Sequence, residues 1–119
     1  EPVELEHEKK YYVFTDGSTS GQLPLDARGE ALHRGDLNAQ TRLCMERTRV
    51  ALAAHGLGLD HMVKQTSFYL GDADAEDIVT NQRLRSSLYR EPAGASTGVP
   101  LRDFGTAGVM VSVDTIAML

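Results

Sequence analysis

Hydrophobic and polar residues alternate along the last apolar stretch of the chain, from Val109 to Ala117. A period of two residues predicts a β-strand, because successive side chains of a strand point to opposite faces. One set is Val109, Val111, Val113 and Thr115, and the other is Met110, Ser112, Asp114 and Ile116. The valines would pack on helices, so Ser112 and Asp114 would face solvent, a cavity or a second subunit.

A helix is predicted from Leu37 to His55. Asp36 precedes it as an N-cap residue, and Gly56 follows it where a chain commonly turns left-handed. The apolar positions recur at helical spacing and would face a sheet. They are Cys44, Met45, Thr48, Ala51 and Leu52.

A second helix is predicted from Ala75 to Tyr89, capped by Asp72 or Asp74 and stopped by Pro92. Its packed stripe would consist of Ile78, Asn81, Leu84 and Leu88. Its arginines would occupy the solvent side and the last turn, where positive charge is favourable. These are Arg83, Arg85 and Arg90.

The remaining apolar stretches predict strands, two before the first helix, one between the helices and two after the second. We expect them at 11–14, 19–25, 62–70, 96–101 and 109–119, with the first two forming a hairpin. The order β-β-α-β-α-β-β predicts an α+β domain with two helices on one face of a mixed sheet. The other face would be bare, which favours oligomerisation.

The size and charge of the chain narrow its class. Its 119 residues fit one domain, 1–119, of which the charged segment 1–10 is expected to be loosely ordered or a short edge element. A net charge of −5 disfavours nucleic acid and anionic membranes as partners. No stretch has the length of a membrane span, and the single Cys44 fits a reducing, cytoplasmic setting. The histidines lack metal-ligand spacing, so we expect no metal.

Several short motifs together resemble the reactive intermediate deaminase family, RidA, also called YjgF. The resemblance extends over residues 11–118 and is carried by SGQLPLD at 20–26, GDLNAQT at 35–41, AHGLGLDHMVKQT at 54–66, Asn81, and the Pro-Ala turn with the closing strand. It implies a chorismate-mutase-like protomer, a homotrimer whose sheets form a barrel, and ligand clefts between subunits. The implied activity is hydrolysis of reactive enamines and imines to ketones and ammonia, without a cofactor.

The resemblance also assigns roles to residues, and it shows where this chain departs from the family pattern. The family's carboxylate-binding Arg is replaced by Gly94 or Ser96, and its water-activating Glu by Ser112, while Asp114 keeps an acid. We therefore predict a small-molecule enzyme in which Asp114 moves the proton and Ser112 and Thr97 hydrogen-bond the substrate. The substrate would be an imine, enamine or carbonyl intermediate, processed by hydrolysis, tautomerisation or a related proton transfer in a biosynthetic pathway.

Further residues are candidates for binding the substrate. Ser20 and Gly21 would offer a backbone N–H, Asn81 an amide, Ser96 a hydroxyl, and Arg102 a replacement cation. These candidates also have structural interpretations. Asn81 also fits the role of a buried core amide, and Arg102 fits that of a solvated loop residue. Ser112 and Asp114 of the closing strand also fit a contact between subunits.

The whole protein has a corresponding alternative. It would then be a non-catalytic trimer that binds a ligand or a partner.

Overall fold

The computed structural model describes residues 2–5, 11–14, 22–88 and 95–118. Their elements follow the predicted order β-β-α-β-α-β-β, with a short 3₁₀ turn at Leu59–His61 before the third strand. The elements are β1 Pro2–Leu5, β2 Tyr11–Phe14, α1 Leu37–Ala53, β3 Met62–Leu70, α2 Ala75–Ser86, β4 Ala95–Leu101 and β5 Val111–Met118.

The strands form one five-stranded mixed sheet in the order β1-β2-β5-β3-β4. The pair β3 and β4 is parallel, and the other neighbours are antiparallel. A parallel pair requires a crossover connection, which α2 provides. The closing strand β5 therefore lies in the sheet centre between β2 and β3, and β4 lies at an edge.

The predicted first hairpin is wrong in its second strand. The two neighbours of β2 are β1, which pairs Val3 with Val13, and β5, and no described residue of the segment 19–25 pairs with it. Only the end of that segment is described, and there Gln22 bridges Val113 of β5. Pro24 has no N–H to donate to a neighbouring strand, which weakens pairing in this segment. The carbonyl of Leu23, just before it, accepts a hydrogen bond from the side chain of Arg47, with 2.7 Å between Nη1 and the oxygen.

The first helix begins as predicted and ends two residues early, at Ala53. The side chain of Asp36 accepts a hydrogen bond from Ala39 N at 3.0 Å, which caps the helix. Gly56 has a φ of +73°, the left-handed conformation expected after a helix end. The buried side of α1 packs on β5 and forms the main core, made of Leu37, Cys44, Met45, Val111 and Val113.

The second helix also begins as predicted, because Asp74 accepts from Glu76 N at 2.8 Å. It ends at Ser86, so Leu88 lies beyond the last helical residue and is 40% exposed instead of packed. The solvent position predicted for Arg85 is wrong, since this side chain is buried and only 8% of it is exposed.

One buried amide fixes the loop that leads into β5. The Gln40 side chain is fully buried on α1, and its Nε2 donates to the carbonyls of Leu32 at 3.0 Å and Gly108 at 2.7 Å. Its Oε1 accepts from Met110 N at 2.8 Å. Because every polar group of the amide is used, Gln40 sets the point from which β5 starts.

Strand register assigns each residue of the sheet to one of two faces. Val113 packs under α1, and its pairing partner Ser67 lies on the same side. We call this side the helix face. Ser112 and Asp114, one residue before and after Val113, belong to the opposite side, which we call the far face.

Candidate functional site

A row of three polar residues crosses the far face. Thr66 of β3 pairs with Asp114 of β5 on one side and with Thr97 of β4 on the other. Adjacent strands are about 4.8 Å apart, so Thr97 and Asp114 are separated by about 10 Å, with the Thr66 hydroxyl between them. Asp114 is half-buried and Thr97 is exposed. The row can therefore present one carboxylate and two hydroxyls to a small molecule.

Ser112 lies next to this row but is fully buried within the protomer. Its pairing partner on β3 is Phe68, which is half-buried. Among the described residues, Ser112 Oγ has no hydrogen-bond partner. A buried hydroxyl without a partner is costly, which makes this oxygen a candidate for a bond to a ligand or a water.

Of the three remaining candidate residues, the structure describes only Arg102. Ser20 and Gly21 lie outside the described residues. The neighbouring Gln22 exchanges two backbone hydrogen bonds with Val113, at 2.9 and 3.2 Å, so the chain joins the sheet beside Ser112 and Asp114. Arg102 follows the end of β4 and is exposed.

Two other predicted residues, Asn81 and Ser96, line a cavity on the helix face. This cavity lies between α2 and the strands β3 and β4 and has a volume of about 410 Å³. Its lining combines polar side chains with apolar ones. The described lining residues are Leu37, Tyr69, Ile78, Asn81, Gln82, Arg85, Ser86, Ser96 and Gly98.

Hydrogen bonds connect the polar wall of this cavity to both helices and to β4. Arg85 donates from Nε to Asn81 Oδ1 at 3.0 Å and from Nη1 to Ser96 Oγ at 3.3 Å. The Asn81 amide donates in turn to Thr41 Oγ1 at 2.6 Å and to Asn38 Oδ1 at 3.2 Å. The guanidinium is thus bonded to residues of α2 and β4, and Asn81 extends the network to α1.

The predicted site residues therefore fall into two groups separated by the sheet. Asp114, Ser112 and Thr97 belong to the far face, whereas Asn81 and Ser96 belong to the helix-face cavity. Strand parity explains the division, since residues 96 and 97 point to opposite sides.

Sequence reasoning missed Arg85. A signal was present, because Arg85 follows Asn81 by four residues and such pairs share one side of a helix.

Cys44 is not a reactive thiol. It is completely buried in the core beneath α1, and burial raises its pKa from 9.0 to about 12, an effect that Arg47 only partly opposes. Since the thiolate is the nucleophile, a thiol with this pKa stays protonated and inert at neutral pH.

The described residues contain neither a metal site nor a membrane-spanning helix. No group of three or more His, Cys, Asp or Glu side chains in these ranges is arranged to hold a metal ion. Over the same part of the chain, no helix combines the length and apolarity needed to span a membrane.

Comparison with known proteins identifies the family. A family model described as endoribonuclease L-PSP matches residues 17–119. The chain belongs to the RidA/YjgF family. Among curated proteins, it is similar to protein DfrA of Myxococcus xanthus, with 44% identity over 55 residues. That match spans 44% of this chain and 42% of DfrA, so it covers less than half of the relative.

Solved structures of the family have the same fold. RidA from the Antarctic bacterium Psychrobacter sp. superposes with a TM-score of 0.73 at 22% identity, covering 99% of this chain and 85% of that one. TdcF of E. coli, solved with bound serine, gives a TM-score of 0.72 at 21% identity, with coverage of 99% and 85%. The predicted RidA-type fold is thereby confirmed.

Proposed function

We propose that this protein is a RidA-like enzyme that acts on a small imine, enamine or carbonyl intermediate. The observation that carries the proposal is the far-face row, in which the half-buried Asp114 carboxylate lies next to Thr66, with Thr97 one strand further along. A carboxylate of this kind can accept a proton from water or from a carbon next to a carbonyl group. Family membership makes such chemistry the first to test.

For an imine substrate, the reaction proceeds in two steps. Asp114 accepts a proton from a water molecule while the water oxygen forms a bond to the imine carbon, and the imine nitrogen takes up a proton from solvent. Asp114 then returns its proton to the amino nitrogen of the resulting amino alcohol, the C–N bond breaks as the hydroxyl proton passes to solvent, and ammonia and a ketone are released. Ser112 and Thr97 would hydrogen-bond the substrate, and the backbone N–H of Gly21 would hold its developing negative charge.

The substrate would be bound between subunits. Apolar residues on the far face, among them Phe68, Val99 and Ile116, are only half-buried in the protomer. A partly exposed apolar sheet face is commonly covered by another copy of the chain. We accordingly propose a homotrimer in which the far faces meet and a neighbouring subunit closes each Asp114 site.

A second candidate function is ligand binding without turnover. It is favoured by the burial of Ser112, where the family pattern has an acid, since a buried hydroxyl cannot activate water as a carboxylate does. The structure of TdcF with bound serine supports a small amino-acid-like compound as the ligand in this case.

A coupled assay distinguishes the two functions. A dehydratase is used to generate 2-aminoacrylate or a longer enamine, and its decay is followed with and without this protein. The catalytic function predicts faster decay in proportion to protein concentration. Unchanged decay for all enamines tried, together with saturable binding of serine, would favour the binding function instead.

A further inference from the structure

Lys64 of β3 lies on the far face, next to the row that contains Asp114. It pairs with Ile116 of β5, just as Thr66 pairs with Asp114. Residues 64 and 66 point to the same side of the sheet because side chains alternate along a strand. Lys64 is exposed in the protomer, so its ammonium group is accessible to a molecule bound over the row.

The ammonium group of Lys64 can reach the space above Asp114. Diagonal neighbours on adjacent antiparallel strands are about 7–8 Å apart, which is within the reach of long side chains. The flexible four-carbon stem of a lysine can therefore bring Nζ to a substrate held at the carboxylate. Lys64 makes no ion pair with any other described residue that would hold it elsewhere.

The strand is irregular just before Lys64. The register between β3 and β5 shifts between Met62 and Lys64 and is regular from there to Tyr69. A bulge of this kind bends a strand and redirects side chains, and bulges are common next to active sites. Lys64 is thus the first residue of β3 after the bulge that pairs regularly with β5.

The proposed hydrolysis requires an acid as well as a base. When water adds to an imine, the nitrogen gains a proton while the water oxygen loses one. The nitrogen becomes an amine as the addition proceeds, which is the same kind of group as the lysine side chain, so a proton passes between the two at little cost. A lysine beside the Asp114 carboxylate matches this requirement.

We propose that Lys64 is the acid of this reaction, an inference that rests on the function proposed above and replaces solvent as the source of the proton. In the first step, Lys64 Nζ donates a proton to the imine nitrogen while Asp114 accepts one from the attacking water. In the second step, Asp114 returns its proton to the amino nitrogen and the C–N bond breaks, leaving its electron pair on nitrogen. The neutral amine of Lys64 accepts the hydroxyl proton as the ketone forms, so both side chains regain their starting states.

Rates of imine hydrolysis in Lys64 variants test the inference, with the substrate supplied by a dehydratase. Lys64→Ala should lower the rate by about a hundredfold, since a positioned acid typically contributes at least that factor. Lys64→Arg should be about as slow, because a guanidinium keeps the charge but does not release its proton. Arg83→Ala, which removes an exposed cation from α2, should keep the wild-type rate.

Added ammonium ions separate proton donation from charge. Trimethylammonium carries a proton and tetramethylammonium does not, and neither can form an imine with the product ketone. The rate of Lys64→Ala should rise in proportion to the trimethylammonium concentration and should not respond to tetramethylammonium. Equal effects of the two ions, including no effect of either, or a wild-type rate for Lys64→Arg, would overturn the inference.

The same measurements distinguish this inference from the function on which it rests. If the wild type does not accelerate imine decay, the proposed function fails and the role of Lys64 fails with it. Acceleration that is lost in Asp114→Asn but retained in Lys64→Ala would overturn the role of Lys64 alone. If sedimentation shows that Lys64→Ala does not assemble as the wild type does, Lys64→Arg decides the outcome, because it preserves the charge and approximate length of the side chain.

Discussion

Arg85 on α2 donates a hydrogen bond to the side-chain oxygen of Asn81 at 3.0 Å, one helical turn before it. This contact connects two networks, because Asn81 also bonds Thr41 of α1 and Arg85 also bonds Ser96 of β4. The two helices and the edge strand are therefore joined by polar contacts in a region with few apolar ones, since Asn81 and Arg85 are the buried residues of α2.

The first prediction concerns the stability that this connection provides. Asn81→Leu keeps a similar volume but removes two donors to α1 and the acceptor for Arg85, so we expect a loss of about 2–3 kcal/mol in the free energy of unfolding. Urea denaturation followed by circular dichroism measures it. Gln82→Leu, at an exposed neighbouring position, should change stability by no more than about 0.5 kcal/mol. Equal effects of the two substitutions would show that the network contributes nothing.

The second prediction concerns a buried hydroxyl beneath the helices. Thr115 of β5 is 1% exposed, and its Oγ1 has no hydrogen-bond partner among the described residues. Thr115→Val keeps the shape and removes the unsatisfied oxygen, so the melting temperature should rise, by an amount equivalent to about 1–2 kcal/mol. Thr48 is the matched control, because its equally buried hydroxyl donates to Cys44 O at 2.9 Å. Thr48→Val should not stabilise, and a gain of the same size there would contradict the explanation.

The third prediction follows from the raised pKa of Cys44. Below pH 9 the folded and unfolded chains both keep the thiol proton, so the buried thiol makes its full contribution to the free energy of unfolding. As the pH rises from 9.0 towards 12, the unfolded chain loses the proton while the folded chain retains it, so stability falls. The wild type should lose about 1.4 kcal/mol relative to Cys44→Ala between pH 8 and pH 10. A constant difference between the two proteins over this range would show that the pKa is not raised.

The sequence was sufficient to predict the parts of the fold that are determined locally. The sequence predicts Asp36 as one cap and Asp72 or Asp74 as the other, and in the structure Asp36 and Asp74 bond backbone N–H groups two or three residues away. The limits of β3, 62–70, were predicted without error, since an apolar β-rich stretch lies there between two turns. The RidA-type fold also followed from local motifs that occur at fixed positions.

Features that depend on distant residues were harder to predict. The segment 19–25 has strand-like composition, but the course of its described part, 22–25, depends on contacts with Val113 and Arg47, which are far away in sequence. Arg85 was assigned to solvent because arginine is usually exposed. Its burial depends on β4 meeting α2 and supplying the oxygen of Ser96, and helical spacing alone does not indicate this contact.

The division of the site residues was likewise hidden in the sequence. Ser96 and Thr97 are neighbours and are both predicted to bind the substrate, but strand parity places them on opposite faces. The sequence therefore predicted more residues in contact with one ligand than the two faces of the sheet allow.

The most direct test of the central claim is the rate of enamine decay with Asp114→Asn. The amide keeps the size of the carboxylate but cannot accept a proton as a base, so the rate should fall by about a hundredfold or more while the assembly state stays unchanged. Asp103→Asn, which alters an exposed acid after β4, should leave the rate at the wild-type level. Full activity of Asp114→Asn in a correctly assembled protein would contradict the proposal that Asp114 moves the proton.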